Sequence, residues 1–417
     1  MNSEYDAIVV GGGPAGAATA IGIAQRGYQV ALLDRAHFPR DKACGEFLTP
    51  QACHLLQNLG VWNAVVAAGA RPVAATTLIA PNGATLRHEP TNGKPAGYTI
   101  RRVVLDSVLL SAARNSGVDV AEGFAVRTLL RGEGSAVCGI AGQNADSEPT
   151  TLKAKLVIGA DGSHSAIARQ LGLVRPLPRL QRVAIVSHWR NVSGDCDSIE
   201  MRSRGDLVCG VSYPRVEENE TRRRGEGESG ANVTLVVPTA FASQIAGRKG
   251  DFVEQMLTQH FPDLAVQLSG AERETAVRTV GCFGHRCKPA TFEGGLLVGD
   301  AATFIDPFTG EGVYFALRGA EFAVETVATA LKTGDYSRRI LTRYDSLRSE
   351  LKQRYLLCDL VQSVVRRPAL ITHVVARLKN SPAAADRLLS ILGDTRQPKD
   401  ILHPTLLWRL LTPEISR

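Results

Sequence analysis

The sequence predicts an α/β fold, α+β over the whole chain. A Rossmann-like domain split along the sequence is joined by an antiparallel-sheet domain and a helical C-terminal tail. Three observations carry this reading. A strand, glycine turn, helix, strand unit fills residues 7–34. Two more buried-strand patterns, Leu156–Gly159 and Gly295–Val298, return much later. Between about 182 and 278 the texture changes to short β-prone segments, and from Tyr336 onward it is helical.

Each element has a local reason. Ala7–Val10 (AIVV) is a short β-branched apolar run, as a parallel strand buried on both faces should be. Ala17–Gln25 is rich in small residues and free of proline, so it reads as a helix, and Gln29–Leu33 is a second buried strand. Leu55–Ala68 and Val104–Asn115 carry helical patterns on either side of Pro81–Lys94, a polar stretch with two Asn-Gly turns. Val118–Val126 reads as a strand and Gly132–Thr151 as hairpin territory. Val183–Trp189, Leu207–Tyr213 and Val233–Val237 suggest an antiparallel sheet. Between the last two, Arg215–Gly230 with its Arg222-Arg223-Arg224 run reads as a hairpin tip rather than an anion contact. Glu311–Leu331 is a helix, and Tyr336–Arg417 is helical with Pro368, Pro382 and Pro404 as punctuation.

Composition narrows the classes. The 417 residues are 44% apolar and 21% charged, which is ordinary globular usage. No run of about 18 apolar residues occurs, so no transmembrane segment is expected. Basic residues number 48 against 41 acidic ones, and the +7 balance is spread along the chain, so nucleic acid is not an expected partner. Met1–Tyr5 has no secretory n- and h-region, which points to a cytoplasmic chain. The eight cysteines include no CxxC pair, so no metal site and no disulfide framework is expected. Most of them read as small buried hydrophobes.

The first motif is Gly11-x-Gly13-Pro14-Ala15-Gly16, placed directly after a strand and before a helix. Gly11 allows the tight turn, Gly13 lets backbone N–H groups approach a pyrophosphate, and Gly16 lets the helix pack close to the sheet. The positive helix end then faces the phosphates. Asp34 closes the second strand 18 residues after Gly16, where a carboxylate accepts hydrogen bonds from a ribose. A dinucleotide is therefore expected here.

Later motifs specify which dinucleotide, by resemblance. Leu156–Gly159 with Ala160-Asp161-Gly162-Ser163 resembles the Asp-Gly motif of flavoprotein aromatic hydroxylases. Gly299-Asp300-Ala301-Ala302 resembles their Gly-Asp motif, and Asp306-Pro307 with Gly310-Glu311-Gly312 resembles the segment that sets a helix N-terminus under the flavin. Within that superfamily of class A flavin monooxygenases, Pro39–Glu46 (PRDKACGE) and Thr309–Ala316 (TGEGVYFA) are similar to geranylgeranyl-reductase-type flavoproteins, and Arg366–Leu370 more loosely so.

The resemblance implies FAD as the cofactor, held by Gly11, Gly13, Pro14, Ala15, Gly16, Asp34, Arg35, Cys44, Gly45, Arg102, Val126, Asp300, Gly310, Gly312 and Val313. Arg102 stands before Asp106 as the family's arginine does, with Arg101 as the fallback; Val126 matches a backbone contact to adenine, and Asp300 would take the ribityl hydroxyls. Asp300 as a plain turn cap is the alternative. Gly312 and Val313 would stabilise the charge of reduced flavin by about 0.3–2 kcal/mol, as other dipole–charge pairs do. Cys44 and Glu46 are the candidate catalytic residues beside the isoalloxazine; Cys44 as mere packing and Glu46 as a solvated carboxylate are the alternatives. His164 reads as a surface residue.

The implied domains are 1–70, 100–180 and 281–330 for FAD, 71–99 and 181–280 for substrate, and 331–417 as the helical C-terminal region. The implied reaction is hydroxylation of a lipophilic or phenolic, polyketide-like substrate of secondary metabolism through a flavin C4a-hydroperoxide, with reduction of carbon–carbon double bonds in a prenyl chain as the alternative. Halogenation is remote: Cys209–Pro214 and Thr234–Pro238 lack the halogenase tryptophans. A flavin-binding protein without turnover is equally remote. No second GxGxxG unit occurs, so NAD(P)H would dock transiently or an electron-donor partner would serve. The apolar tail Ile401–Arg417 reads as a packed helix, with peripheral contact at the inner membrane surface as the alternative.

Overall fold

The computed structural model describes residues 4–90, 93–193, 196–214, 230–305 and 310–392. Five parallel strands form the centre of one eight-stranded sheet, in the order Gly295–Leu297, Pro149–Gly159, Glu4–Val10, Val30–Asp34, Asp119–Glu122. Thr291–Phe292 adds an antiparallel edge, Val137–Gln143 pairs antiparallel with the first half of Pro149–Gly159, and Ala125–Arg131 pairs antiparallel with Val137–Gln143. Ile8, Leu32 and Ile158 have no exposed surface, so these strands are apolar along their whole length because helices cover both faces.

The helix Pro14–Ala24 packs on Gly312–Thr333. A Cβ at Gly22 would stand 2.7 Å from Val324 Cγ2, which explains the small residues in the first helix: they let the two axes approach. Several sequence boundaries shift. The expected helix Leu55–Ala68 is two helices, Pro50–Asn58 and Trp62–Ala67, interrupted at Gly60 with φ +81°. Its true start is Thr49, whose Oγ1 accepts the Ala52 N–H. The expected strand Val118–Val126 is likewise cut at Gly123 with φ +73°.

The second large sheet runs Glu272–Arg273, Arg182–Arg190, Ala231–Pro238, Leu207–Ser212, Ser198–Arg204, Ala75–Ile79, Thr85–His88, with Arg278–Phe283 on the Arg182–Arg190 strand. It is antiparallel except where Ala75–Ile79 lies parallel to Ser198–Arg204, a departure from the wholly antiparallel sheet expected. Side chains alternate along Arg182–Arg190. Val183 and Ile185 pack with Phe252, Val253 and Met256 from the helix Lys249–His260. Ala184 points the other way, into a cluster with Ile371, Val374 and Val375 of the helix Pro368–Lys379. Helices Arg338–Leu347, Lys352–Val365, Pro368–Lys379 and Pro382–Leu392 account for the predicted helical region as far as it is described. Residues 215–229, 306–309 and 401–417, each read from sequence above, lie outside the described residues. No helix among the described residues is long and apolar enough to cross a membrane.

Candidate active site

The turn after the first strand explains its glycines. Gly11 has φ +110°, and a Cβ there would lie 2.3 Å from the Ala160 carbonyl oxygen. A Cβ at Gly16 would lie 1.8 Å from the Gly11 carbonyl oxygen. Gly13 is different: the nearest atom to an added Cβ is Arg40 Nη2 at 3.6 Å, then Arg102 Nη2 at 3.9 Å. The hydrogen at Gly13 therefore keeps open a hollow bounded by two guanidinium groups at the N-terminus of the helix that Pro14 and Ala15 begin. Such a hollow fits a pyrophosphate.

Asp34 accepts the Gly12 N–H on one oxygen at 2.7 Å and the Ala36 N–H on the other at 2.9 Å. It thus fixes the glycine turn as well as standing where a ribose would be held. Arg35 is exposed beside it. Val126 lies on the strand reached through Phe124, whose N–H donates to the Asp34 carbonyl, so it belongs to the same end of the site. Arg40 carried no assigned role in the sequence, yet it bridges Asp34 (3.5 Å) and Asp106 (3.1 Å) over the Phe38 ring.

Arg102 occupies the cavity wall and Arg101 does not reach it: Arg101 pairs with Glu274 at 2.6 Å. Arg102 binds Asp106 through two bonds of 2.8 and 2.7 Å, one turn along the same helix. Burial works against its charge, but Asp106, ahead of Cys44, holds the guanidinium above its ordinary value. Asp300 lines the cavity with Lys42 Nζ 3.9 Å away. Gly310 (φ +70°), Gly312 and Val313 line it at the start of the helix Gly312–Thr333, and nothing lies within 4 Å of a Cβ built on Gly312. A backbone that close to open space, at a positive helix end, suits the electron-rich edge of a reduced flavin. The residues present fit FAD.

Cys44, Gly45 and Glu46 form a turn pinned by three adjacent strands of the second sheet. The Asn232 amide donates to the Cys44 carbonyl at 2.8 Å, and the Ser212 hydroxyl to the Gly45 carbonyl at 2.7 Å. His188 Nε2 meets Glu46 Oε2 at 3.0 Å, and the Arg102 N–H donates to Glu46 Oε1 at 3.0 Å. Glu46 has φ +55° and is 2% exposed, so it is neither solvated nor relaxed. The open alternative of a solvated carboxylate is thereby removed. His188, Asn232 and Ser212 had no sequence signal, because each is one of a few polar residues in a mostly apolar strand and belongs to no motif.

Beyond this turn the cavity is walled by Val186, Met201, Val236, Val280, Phe315 and Val361. A buried polar pair reaches it through Glu200: Tyr213 donates to Glu200 Oε1 at 3.0 Å, and burial followed by that carboxylate pushes the phenol up from its ordinary value.

Residues 4–357 match the family described as the FAD binding domain. Two curated relatives are each 28% identical. One is the conditioned medium factor receptor 1 of Dictyostelium discoideum, over 82% of this chain and 67% of that protein. The other is the digeranylgeranylglycerophospholipid reductase of Methanocella arvoryzae, over 87% of this chain and 89% of that protein. In fold the chain is similar to a flavin-dependent brominase, with a TM-score of 0.78, 20% identity and coverage of 94% and 93% of the two chains.

Proposed function

This chain belongs to the FAD binding domain family and is an FAD-dependent oxidoreductase, and from that premise we propose that it reduces carbon–carbon double bonds in a lipophilic, prenyl-type chain. The observation that carries the reading is a buried acid, Glu46, held by His188 where the cofactor turn meets an apolar cavity. Bound and reduced, FAD supplies a hydride. The apolar walls hold an unsaturated chain out of water, and the N–H groups of Gly312 and Val313 favour negative charge at the helix end. Glu46 holds a proton at the cavity wall for the carbon that the hydride does not reach. A lipid reductase in Methanocella arvoryzae with this extent of similarity supports the substrate class. NAD(P)H docking transiently, or a partner protein, would deliver the electrons, and peripheral contact with a membrane would give access to the substrate.

A second reading, hydroxylation of a phenolic substrate, is favoured by the Tyr213–Glu200 pair, which offers a ring hydroxyl a polar anchor in an otherwise apolar wall. One experiment separates them. Chemically reduced protein is mixed without air with a geranylgeranyl lipid, and the products are weighed by mass spectrometry. Gain of two hydrogens per bond is expected. No saturation without air, but transfer of one oxygen atom from labelled dioxygen to an added phenolic polyketide, would overturn the reductase in favour of the hydroxylase.

A further inference from the structure

The strand Leu207–Ser212 lies inside the second sheet, paired on one side with Ser198–Arg204 and on the other with Ala231–Pro238. A glycine in such a place is a cost, because it packs no side chain and loses more backbone freedom on folding than any other residue. Gly210 stands there, and it is the one half-buried position in a strand otherwise buried. Two other strand glycines show the ordinary packing reason. A Cβ at Gly142 would lie 2.4 Å from the Ala125 carbonyl oxygen, and one at Gly295 would lie 2.0 Å from that of Val157. A Cβ built on Gly210 meets nothing within 4 Å. Its backbone lies outside the left-handed region and its two ladders run without a bulge, so no turn demands glycine either. The place is open to the cavity, which Gly210 lines.

Register says what surrounds the gap. Gly210 is opposite Met201 on one neighbouring strand and Thr234 on the other, and Thr234 is opposite Val186 on the strand beyond. All four line the cavity. Neighbouring strands stand about 4.8 Å apart, so the row Val186, Thr234, Gly210, Met201 has a trough one strand wide at its third place. The Thr234 hydroxyl donates to Asn232 Oδ1 at 2.9 Å, so its polar atom is already engaged. Two residues along and on the same face, Ser212 donates to the Gly45 carbonyl. At about 3.4 Å per residue, the trough lies roughly 7 Å along the strand from the residue that pins the Cys44–Glu46 turn.

We propose that Gly210 is a specificity-determining residue: the substrate's hydrocarbon chain, just beyond its reacting double bond, rests on the bare backbone of this trough. The inference rests on the reductase reading, which puts the bond beside Glu46 and needs a seat for the chain that follows it. A ligand carbon on a glycine backbone comes closer to the sheet than any side chain permits. Ala or Val at this position lifts the chain, and so draws the bond away from Glu46 while the turn and its partners stay as they are.

The test uses full-length FAD-loaded protein, kept oxidised so that no turnover occurs, with G210A and G210V. Both variants are expected to keep FAD and to show a urea midpoint at or above the parent's, because each replaces a strand glycine over open space. A lower midpoint in G210A overturns the inference, since the fold itself would then fill the place. Geranylgeraniol binding is followed by calorimetry. Its Kd is expected to rise on the order of 10–10²-fold in G210V, as overfilling a fitted apolar site does, and by less in G210A. An unchanged Kd in G210V overturns the inference. 1-Naphthol, titrated in parallel, separates this inference from the reading beneath it. If the parent ignores geranylgeraniol but binds naphthol, and G210V loses that binding, Gly210 stands as the floor of the substrate's seat and the prenyl reading falls. If the parent saturates geranylgeraniol and G210V binds it equally well, the trough falls and the reductase stands. A parent that binds neither ligand sinks both.

Discussion

Glu46 and His188 are 142 positions apart in the chain and 3.0 Å apart in the fold. The carboxylate comes from the cofactor turn and the imidazole from the sheet above it, so the contact exists only when the two parts are docked. Replacing Glu46 by Gln keeps an acceptor for the Arg102 N–H and removes the acid. E46Q is expected to keep its FAD and lose turnover by roughly 10²–10⁴-fold, the usual worth of a positioned proton donor. Steady-state kinetics beside flavin content checks this; parental turnover would dismiss Glu46 as the acid.

The glycine turn predicts two opposite phenotypes. In G16A the new methyl meets a backbone carbonyl at 1.8 Å, so the apoprotein itself should lose about 1–3 kcal/mol in urea unfolding. In G13A the nearest atom is 3.6 Å away, so the apoprotein should unfold as the parent does while FAD affinity drops at least tenfold. Equal FAD affinity in G13A would mean that no phosphate approaches there.

Arg102 and Asp106 are 7% and 0% exposed at their side chains, and each is the other's main compensation. D106N leaves a buried guanidinium with only part of its partner, and a loss of about 3–5 kcal/mol is expected, read by denaturant unfolding of the apoprotein. A change below 1 kcal/mol would show that Asp106 is not the main compensation of the buried Arg102 charge and that the pair behaves like a screened surface one.

Burial pushes the Cys53 and Cys209 thiols up to about 12, so neither supplies thiolate near neutrality. Alkylation of the native protein at pH 8 should spare both. Cys44, half-buried at the cavity wall, should be labelled in the apoprotein and protected by FAD, as peptide mapping would show. Equal labelling with and without FAD would place the flavin elsewhere.

His285 is pulled below its ordinary 6.5 by burial, with its hydrogen bond to the Asp300 backbone opposing. The unfolded chain therefore binds more protons than the folded one between that lowered value and 6.5, and stability is lost as pH falls through this window. H285N should flatten that part of the stability–pH curve, measured by urea midpoints from pH 7 to 5. An unchanged slope would assign the acid loss to other groups.

The local chemistry of the cofactor end was legible in the chain. Gly11, Gly13 and Gly16 lie within six positions, their spacing is imposed by one turn and one helix, and the consequences of adding a Cβ are local. Arg102 before Asp106 was expected from the resemblance, and in the structure the four-residue spacing makes them a pair one helical turn apart. Asp300, Gly312 and Val313 were expected from the resemblance of their motifs, and the structure places each at the cavity wall. Helix and strand ends were misplaced where a single positive-φ glycine, Gly60 or Gly123, broke a pattern that apolar periodicity alone left continuous.

What the tertiary structure decided is which polar groups share the cavity. Arg40 turned from an unassigned basic residue into a bridge between Asp34 and Asp106, and Glu46 from a carboxylate that could have been solvated into a buried side chain. His188, Ser212 and Asn232 look in sequence like scattered polar residues in mostly apolar strands. Only the pairing of those strands brings them side by side over Cys44–Glu46. Sequence specifies contacts a few residues apart through φ, ψ and helical or strand period; contacts more than a hundred residues apart depend on sheet register and domain docking, which no local pattern encodes.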